Sequence, residues 1–337
     1  MAQGIGIAIL WVFLYGYLII ASIDFGAGFF AHYELITQKE HIISRIIKRY
    51  LSPVWEVTNV FFVFFFVGIV GFFPETAYYY GTALLVPGSI ALVLLAIRGA
   101  FYAFYHYGVR ENKAFSFFYG ATGLFIPAAL STALTISEGG YIDVVGGHVV
   151  LRAGRLFASF YSWAVVFLAI VSVLYISAMF LTYYAAKAGD QAALEKLRGY
   201  ALFWSLPTIL ASALIFVTLQ RQNPTHFNHI LDIWWMFLLS LCCFLVAVTL
   251  VFQKKHYGLA FFFVLLQFFF AFFGYGISHL PYILYPYIRI EAAFTLPTMG
   301  RALMFAFAMG LALLIPSLIL LMRLFIFDAK YVKGEQK

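Results

Sequence analysis

Charge is what this chain has least of. Only 10% of its 337 residues are Asp, Glu, Lys or Arg, where a water-soluble domain carries about 25%. A globule so poor in charge would show water large apolar patches and aggregate, which excludes a cytosolic enzyme, a secreted domain and a disordered regulator. Cysteine is almost missing as well. The two present, Cys242 and Cys243, are adjacent within an apolar run, where neither an ordinary disulfide nor a metal clip is geometrically favoured. There is no GxxxxGK phosphate loop, no HExxH and no nucleophile elbow, so nothing supports catalysis of the soluble kind.

What the chain does have is apolar mass. Hydrophobic residues make up 64% and aromatics 20%, and its 40 Phe outnumber the 21 basic and 14 acidic residues together. The solvent for most of it is therefore lipid. A membrane helix needs about 20 apolar residues, because ~30 Å of hydrocarbon is crossed at ~1.5 Å per residue. Nine segments qualify, near residues 5–31, 53–73, 77–105, 116–137, 158–184, 199–220, 232–252, 257–280 and 301–326. The expected fold is an all-α integral membrane protein forming a single polytopic domain. The first segment has no basic stretch before it and carries Asp24, so it reads as a retained span and not as a signal peptide.

The formal net charge of +7 does not mark a nucleic-acid surface, since the basic residues are strung out singly between apolar runs. They sort by side instead. Fifteen follow the odd-numbered spans, among them Lys39, Arg110, Lys187, Lys254 and Lys330, whereas only Arg152, Arg155, Arg221, Arg289 and Arg301 follow the even ones. The positive-inside rule then predicts an outside N-terminus and a cytoplasmic C-terminus. Residues 34–52 combine helical apolar spacing with Lys39, Arg45, Lys48 and Arg49, and are expected on the inner membrane surface, with a solvated basic loop as the alternative. Tyr141 to Leu151, centred on Gly146-Gly147 between valines, predicts a short outer hairpin.

Aromatic clusters such as Phe61 to Phe66 and Phe261 to Phe273 suit packing or lipid contact, and Tyr78, Tyr79, Tyr80, Trp234 and Trp235 suit the interfacial belts. Gly16, Gly26, Gly28, Gly274 and Gly276 permit close helix contact. The eight histidines lie near span ends or in loops, so a haem held between two of them is not expected. His226 and His229, three apart near Asp232, would make a surface metal site if helical; solvated loop histidines are the commoner case. Met304 and Met309 read as packing or lipid-facing residues in preference to haem ligands.

Ionisable residues within spans are costly, about 2.5 to 3.5 kcal/mol each at mid-membrane on insertion scales, and so become functional candidates. Asp24, Glu56 and Arg98 are the three, on consecutive spans and all in the cytoplasmic third. They form either an inner-face site that admits protons, with Arg98 holding a carboxylate ionised, or an ion cluster that pins helices, or side chains that snorkel to the headgroups.

At these positions the sequence resembles a known family. Ile23-Asp24-Phe25-Gly26-Ala27-Gly28 ends the first span, Pro53-Val54-Trp55-Glu56 opens the second, and Ile97-Arg98-Gly99-Ala100-Phe101 lies in the third. With nine spans and this length, the chain resembles subunit II of the cytochrome bd-type quinol oxidases. The resemblance implies a partner subunit I carrying two haems b and a haem d, quinol oxidation on that partner, and reduction of oxygen to water in a bacterial cell membrane. No metal or cofactor site is expected on this chain. It implies two four-helix bundles, spans one to four (residues 5–137) and five to eight (158–280), with a peripheral ninth helix (301–326). It also implies a proton-pathway role for Glu56 and Asp24, with Trp55 and Arg98 as their structural and electrostatic partners. A structural quinone and a small third subunit of one helix stay open. The chain departs from the family where relatives carry further acids: Val57-Thr58-Asn59 follows Glu56, and Tyr102 to Tyr105 follow Arg98. A proton-coupled transporter and a purely structural scaffold are the rival readings; a transporter would place its charges near the midplane of two broken-helix repeats.

Overall fold

The computed structural model describes residues 2–37, 47, 59–107, 113–321 and 323. Helices dominate: α1 (Ala2–Ile36), α2 (Asn59–Phe72), α3 (Pro74–Ala83), α4 (Leu85–Tyr107), α5 (Lys113–Leu130) and α6 (Thr132–Ser137) form the first half. After the hairpin β1 (Ile142–Val145) and β2 (His148–Leu151) come α7 (Ala153–Ala158), α8 (Phe160–Ala188), α9 (Gln191–Gln222), α10 (Pro224–Asp232), α11 (Trp234–Phe252) and α12 (Tyr257–His279). A second hairpin, β3 (Tyr282–Leu284) and β4 (Ile288–Arg289), leads through α13 (Ile290–Ala293) to α14 (Pro297–Leu321). The all-α membrane architecture is as expected. Among the described residues, seven helices are long and apolar enough to cross a bilayer, or eight if the bent pair α3 and α4 is taken as one span. Of the expected second span, α2 is described; residues 53–58, with Trp55 and Glu56, lie outside the described residues, as does nearly all of the basic segment at 34–52.

The core forms around α1 and α8, where Phe13, Ala27, Tyr175 and Ile176 have no exposure. Because lipid supplies no hydrophobic drive between helices, close contact and polar bridges hold them. Ser177 Oγ donates to the Ile23 carbonyl at 2.9 Å, Tyr15 to Leu265 at 2.7 Å and Ser240 to Gln267 at 2.8 Å, joining α8 to α1, α1 to α12 and α11 to α12. At the other extreme α14 touches α1 along one edge and leaves Phe305, Met309, Leu313 and Ile319 exposed.

Two local features differ from the sequence expectation. A single helix over 77–105 is expected, but the chain turns by 82° at Leu84. Pro87 has no N–H to offer the Ala83 carbonyl, and its ring would clash there. The helix therefore ends at Ala83 and restarts at Leu85, which puts Pro87 in a first turn where no donor is needed. Secondly, α1 runs past residue 31 to Ile36 and buries Glu34 beside Lys196 Nζ at 3.5 Å, so that carboxylate belongs to the packed end of α1 and not to a segment on the membrane surface. The predicted hairpin is present: Val144 faces Val149, and Gly146 and Gly147 take φ of 59° and 80°, as a tight two-residue turn demands.

Candidate functional site

Asp24 and Arg98 meet in the interior. Asp24 lies about 18 Å from the C-terminal end of α1 and Arg98 about 14 Å from that of α4, by helix rise. Gly123 of α5 lets the helices close in, since a Cβ there would stand 2.3 Å from the Phe25 carbonyl oxygen. Arg98 has no exposure and Asp24 only 1%. Arg98 Nε donates to Asp24 Oδ2 at 2.9 Å, Nη2 to the Asp24 carbonyl at 2.7 Å, and Nη1 to the Tyr119 carbonyl at 2.7 Å. The Tyr119 hydroxyl donates to Asp24 Oδ1 at 2.9 Å, and the guanidinium lies over the Tyr119 ring at 3.9 Å. Both carboxylate oxygens thus have a donor, and the guanidinium carried by α4 is held by α1 and α5. This corrects the snorkelling alternative: with full burial and several partners, neither side chain reaches toward headgroups. The arrangement sets a fixed ion pair and ties α1, α4 and α5 together. Tyr119 completes the site without having been legible as a member of it.

A second cluster was missed. It joins the ends of α6, α10 and α12 on the side of the molecule that carries both hairpins. Asn223 and Pro224 start α10 in the usual way, the Asn223 Oδ1 accepting from the His226 N–H at 3.1 Å. The same side chain's Nδ2 donates to Glu138 Oε2 at 2.9 Å. Glu138 Oε1 lies 2.9 Å from His226 Nδ1 and 3.5 Å from His279 Nδ1, and accepts a short hydrogen bond from the Tyr275 hydroxyl. Glu138 and His226 are 1% and 3% exposed. Burial pushes the Glu138 carboxyl up, but the His226 hydrogen bond, the charges of His279 and His226 and the Tyr275 hydroxyl outweigh it and hold it below the ordinary carboxylate range. The expectation of a solvated His226 is therefore overturned, because a helix cap buries it. His229 turns elsewhere, its Nδ1 lying 3.1 Å from the Ser278 carbonyl oxygen.

Neither cluster suits a haem. A haem iron takes two axial nitrogens on opposite faces, about 4 Å apart, whereas His226 Nδ1 and His279 Nδ1 are 3.4 Å apart beside one carboxylate oxygen. Met309 is half exposed on the outer face of α14 and Met304 packs against the core, as the sequence suggests.

Residues 2–325 match the family model for cytochrome bd terminal oxidase subunit II. A Bacillus subtilis (strain 168) protein named "Putative cytochrome bd menaquinol oxidase subunit II" is 33% identical over 341 residues, covering 98% of each chain. A chain from the structure of bd oxidase from Geobacillus thermodenitrificans is 58% identical, with a TM-score of 0.85, covering 97% of this chain and 99% of that one.

Proposed function

Given that the chain belongs to the cytochrome bd oxidase subunit II family, and so is a component of an oxidoreductase complex, we propose that it supports a haem-bearing subunit I and supplies that partner with protons from the cytoplasm. The observation that carries this reading is the likeness to a bd oxidase chain along nearly the whole length, at 58% identity. Two haems b and a haem d on subunit I would carry electrons from quinol to oxygen, and the reduction of oxygen to water consumes protons. This chain's own part is to bring them in.

Asp24 and Glu56 are the carboxylates of that route, and they divide the work. Asp24, bound at both oxygens by Arg98 and Tyr119, acts as a fixed charge that biases the local field. Glu56, preceded by Trp55, is the exchanging group, helped by Thr58, Asn59 or water. The orientation follows the basic residues: the end of α1 and the loops after α4, α8 and α11 face the cytoplasm, and the hairpins face outward, in a bacterial cell membrane. Helices α1, α2, α4 and α5 form one four-helix bundle and α8, α9, α11 and α12 the other, with α14 peripheral. The exposed apolar faces, such as Phe203, Leu206 and Leu210 of α9, would meet subunit I, lipid or a small third subunit.

The test uses the intact complex. In Glu56→Gln, oxidase turnover should fall at least tenfold while haem content, read from the reduced-minus-oxidised spectrum, stays near that of the parent. Normal turnover would remove the proton role, and a parallel loss of haem would make Glu56 structural.

A further inference from the structure

The Glu138 cluster has no part in that reading. Its ring hydrogens are set by the tautomers of two histidines. Ser278 Oγ lies 2.9 Å from the carbonyl oxygens of both Gly274 and Tyr275, the position of a helix serine that donates back to its own turn. The same Oγ faces His226 Nε2 at 2.8 Å; with its hydrogen on a helix carbonyl it accepts there, and the ring hydrogen is then on Nε2. In the neutral ring, Nδ1 then presents a lone pair toward Glu138 Oε1, 2.9 Å away, and toward His279 Nδ1, 3.4 Å away. In that tautomer, and with the His279 hydrogen on its other nitrogen, three ligand atoms surround one point where a cation would bind all of them.

A proton lies on the line between two atoms and leaves the third aside. The observed triangle, with sides of 2.9, 3.4 and 3.5 Å, is close to equilateral. Its atoms lie on a circle of radius about 1.9 Å, so a point about 0.8 Å off their plane is about 2.05 Å from all three, which is the zinc–nitrogen and zinc–oxygen distance. An ideal tetrahedral centre stands about 0.7 Å above the plane of three of its ligands at that distance. Two of the three side chains have the outer partners that metal ligands use. His226 gives its other N–H to Ser278, and Glu138 is held by Asn223 and Tyr275.

We propose that Glu138, His226 and His279 bind a divalent first-row cation, zinc above all, which clamps the hairpin-side ends of α6, α10 and α12. Two imidazoles and a carboxylate leave a fourth tetrahedral position for water.

The intact oxidase complex, supplied with zinc chloride and then freed of loose metal by a chelator wash and gel filtration, tests this. Zinc per complex, counted by mass spectrometry against haem iron, should be one equivalent higher in the parent than in His279→Gln and Glu138→Gln. Haem content should be unchanged, which separates this result from the fate of Glu56. Equal zinc in parent and variants overturns the proposal. Should the variants fail to assemble, zinc-edge X-ray absorption on the parent decides. A first shell of two imidazoles with oxygen at about 2.0–2.1 Å supports the site, and a sulfur shell or no bound zinc overturns it; an imidazolium shared with Glu138 would then fill the triangle.

Discussion

Arg98 is a guanidinium with no exposure, and its only carboxylate among the described residues is Asp24 at 2.9 Å. Removing one member of a buried pair leaves the other charge unmatched, at about 3–5 kcal/mol, whereas an apolar replacement of both is often close to neutral. Asp24→Leu and Arg98→Leu should therefore each lower the melting temperature and yield of the purified complex, and the Asp24→Leu/Arg98→Leu double variant should recover much of the loss. If the double variant is as unstable as the two single losses combined, the pair is not the unit of stabilisation. Asp24 and Arg98 were legible because a charge in an apolar run has few explanations. Tyr119 was not, as one of 23 tyrosines that only folding brings to Asp24. Glu138 and His226 hid for another reason. Residues near span ends are commonly solvated, and only the capped turn of α10 turns His226 inward.

At the scale of elements, helix spacing decides. A Cβ on Gly26 would stand 2.3 Å from Ser177 Cβ, in the tightest part of the α1–α8 contact. Gly26→Val should reduce membrane yield of the subunit severalfold on an immunoblot, with Gly4→Val, where the added group meets nothing, as the neutral control. The first hairpin makes a different prediction. A hydrogen bond from Arg152, then the charges of Arg155 and Arg152, hold the Asp143 carboxyl below its usual range. Its folded value being the lower one, the ion pair contributes above the ordinary Asp range near ~3.9 and is lost as pH falls through the depressed value. A nitroxide label at residue 144 should grow mobile only in that acid window, and Asp143→Asn should be mobile at neutral pH too. The contribution is small because all three side chains are solvent-exposed or nearly so. Periodicity and length made the long helices legible, and Gly-Gly between valines gave away the hairpin. The bend at Leu84 was less so, because Pro127, Pro207 and Pro316 sit inside helices that continue through or close to them. The β3–β4 hairpin had too few residues to carry a pattern.

For the molecule as a whole, the excess of basic residues after odd-numbered spans sets a direction across the membrane. In intact cells a membrane-impermeant maleimide should label Gly146→Cys at the hairpin tip and leave Lys254→Cys unlabelled until the cells are opened. The reverse pattern would invert the orientation and move Asp24 to the wrong side for drawing protons from the cytoplasm. Native Cys243 is buried and Cys242 lies within the α11 span, so the background of such labelling should be low.

The hairpin-side layer has a consequence in time. It is stitched from distant parts of the chain: Thr295 N–H to the Phe72 carbonyl, Tyr285 N–H to Ser137, Tyr287 hydroxyl to Ile142, Tyr80 hydroxyl to Ile283, and Glu138 to His226 and His279. Chains emerge from the ribosome N-terminus first, so Glu138 waits through the synthesis of another 141 residues before its last partner, His279, exists. A buried carboxylate without its partners is costly. The layer therefore closes only when α12 is in place, and a chain interrupted before that point keeps its polar groups open at one end of its bundle.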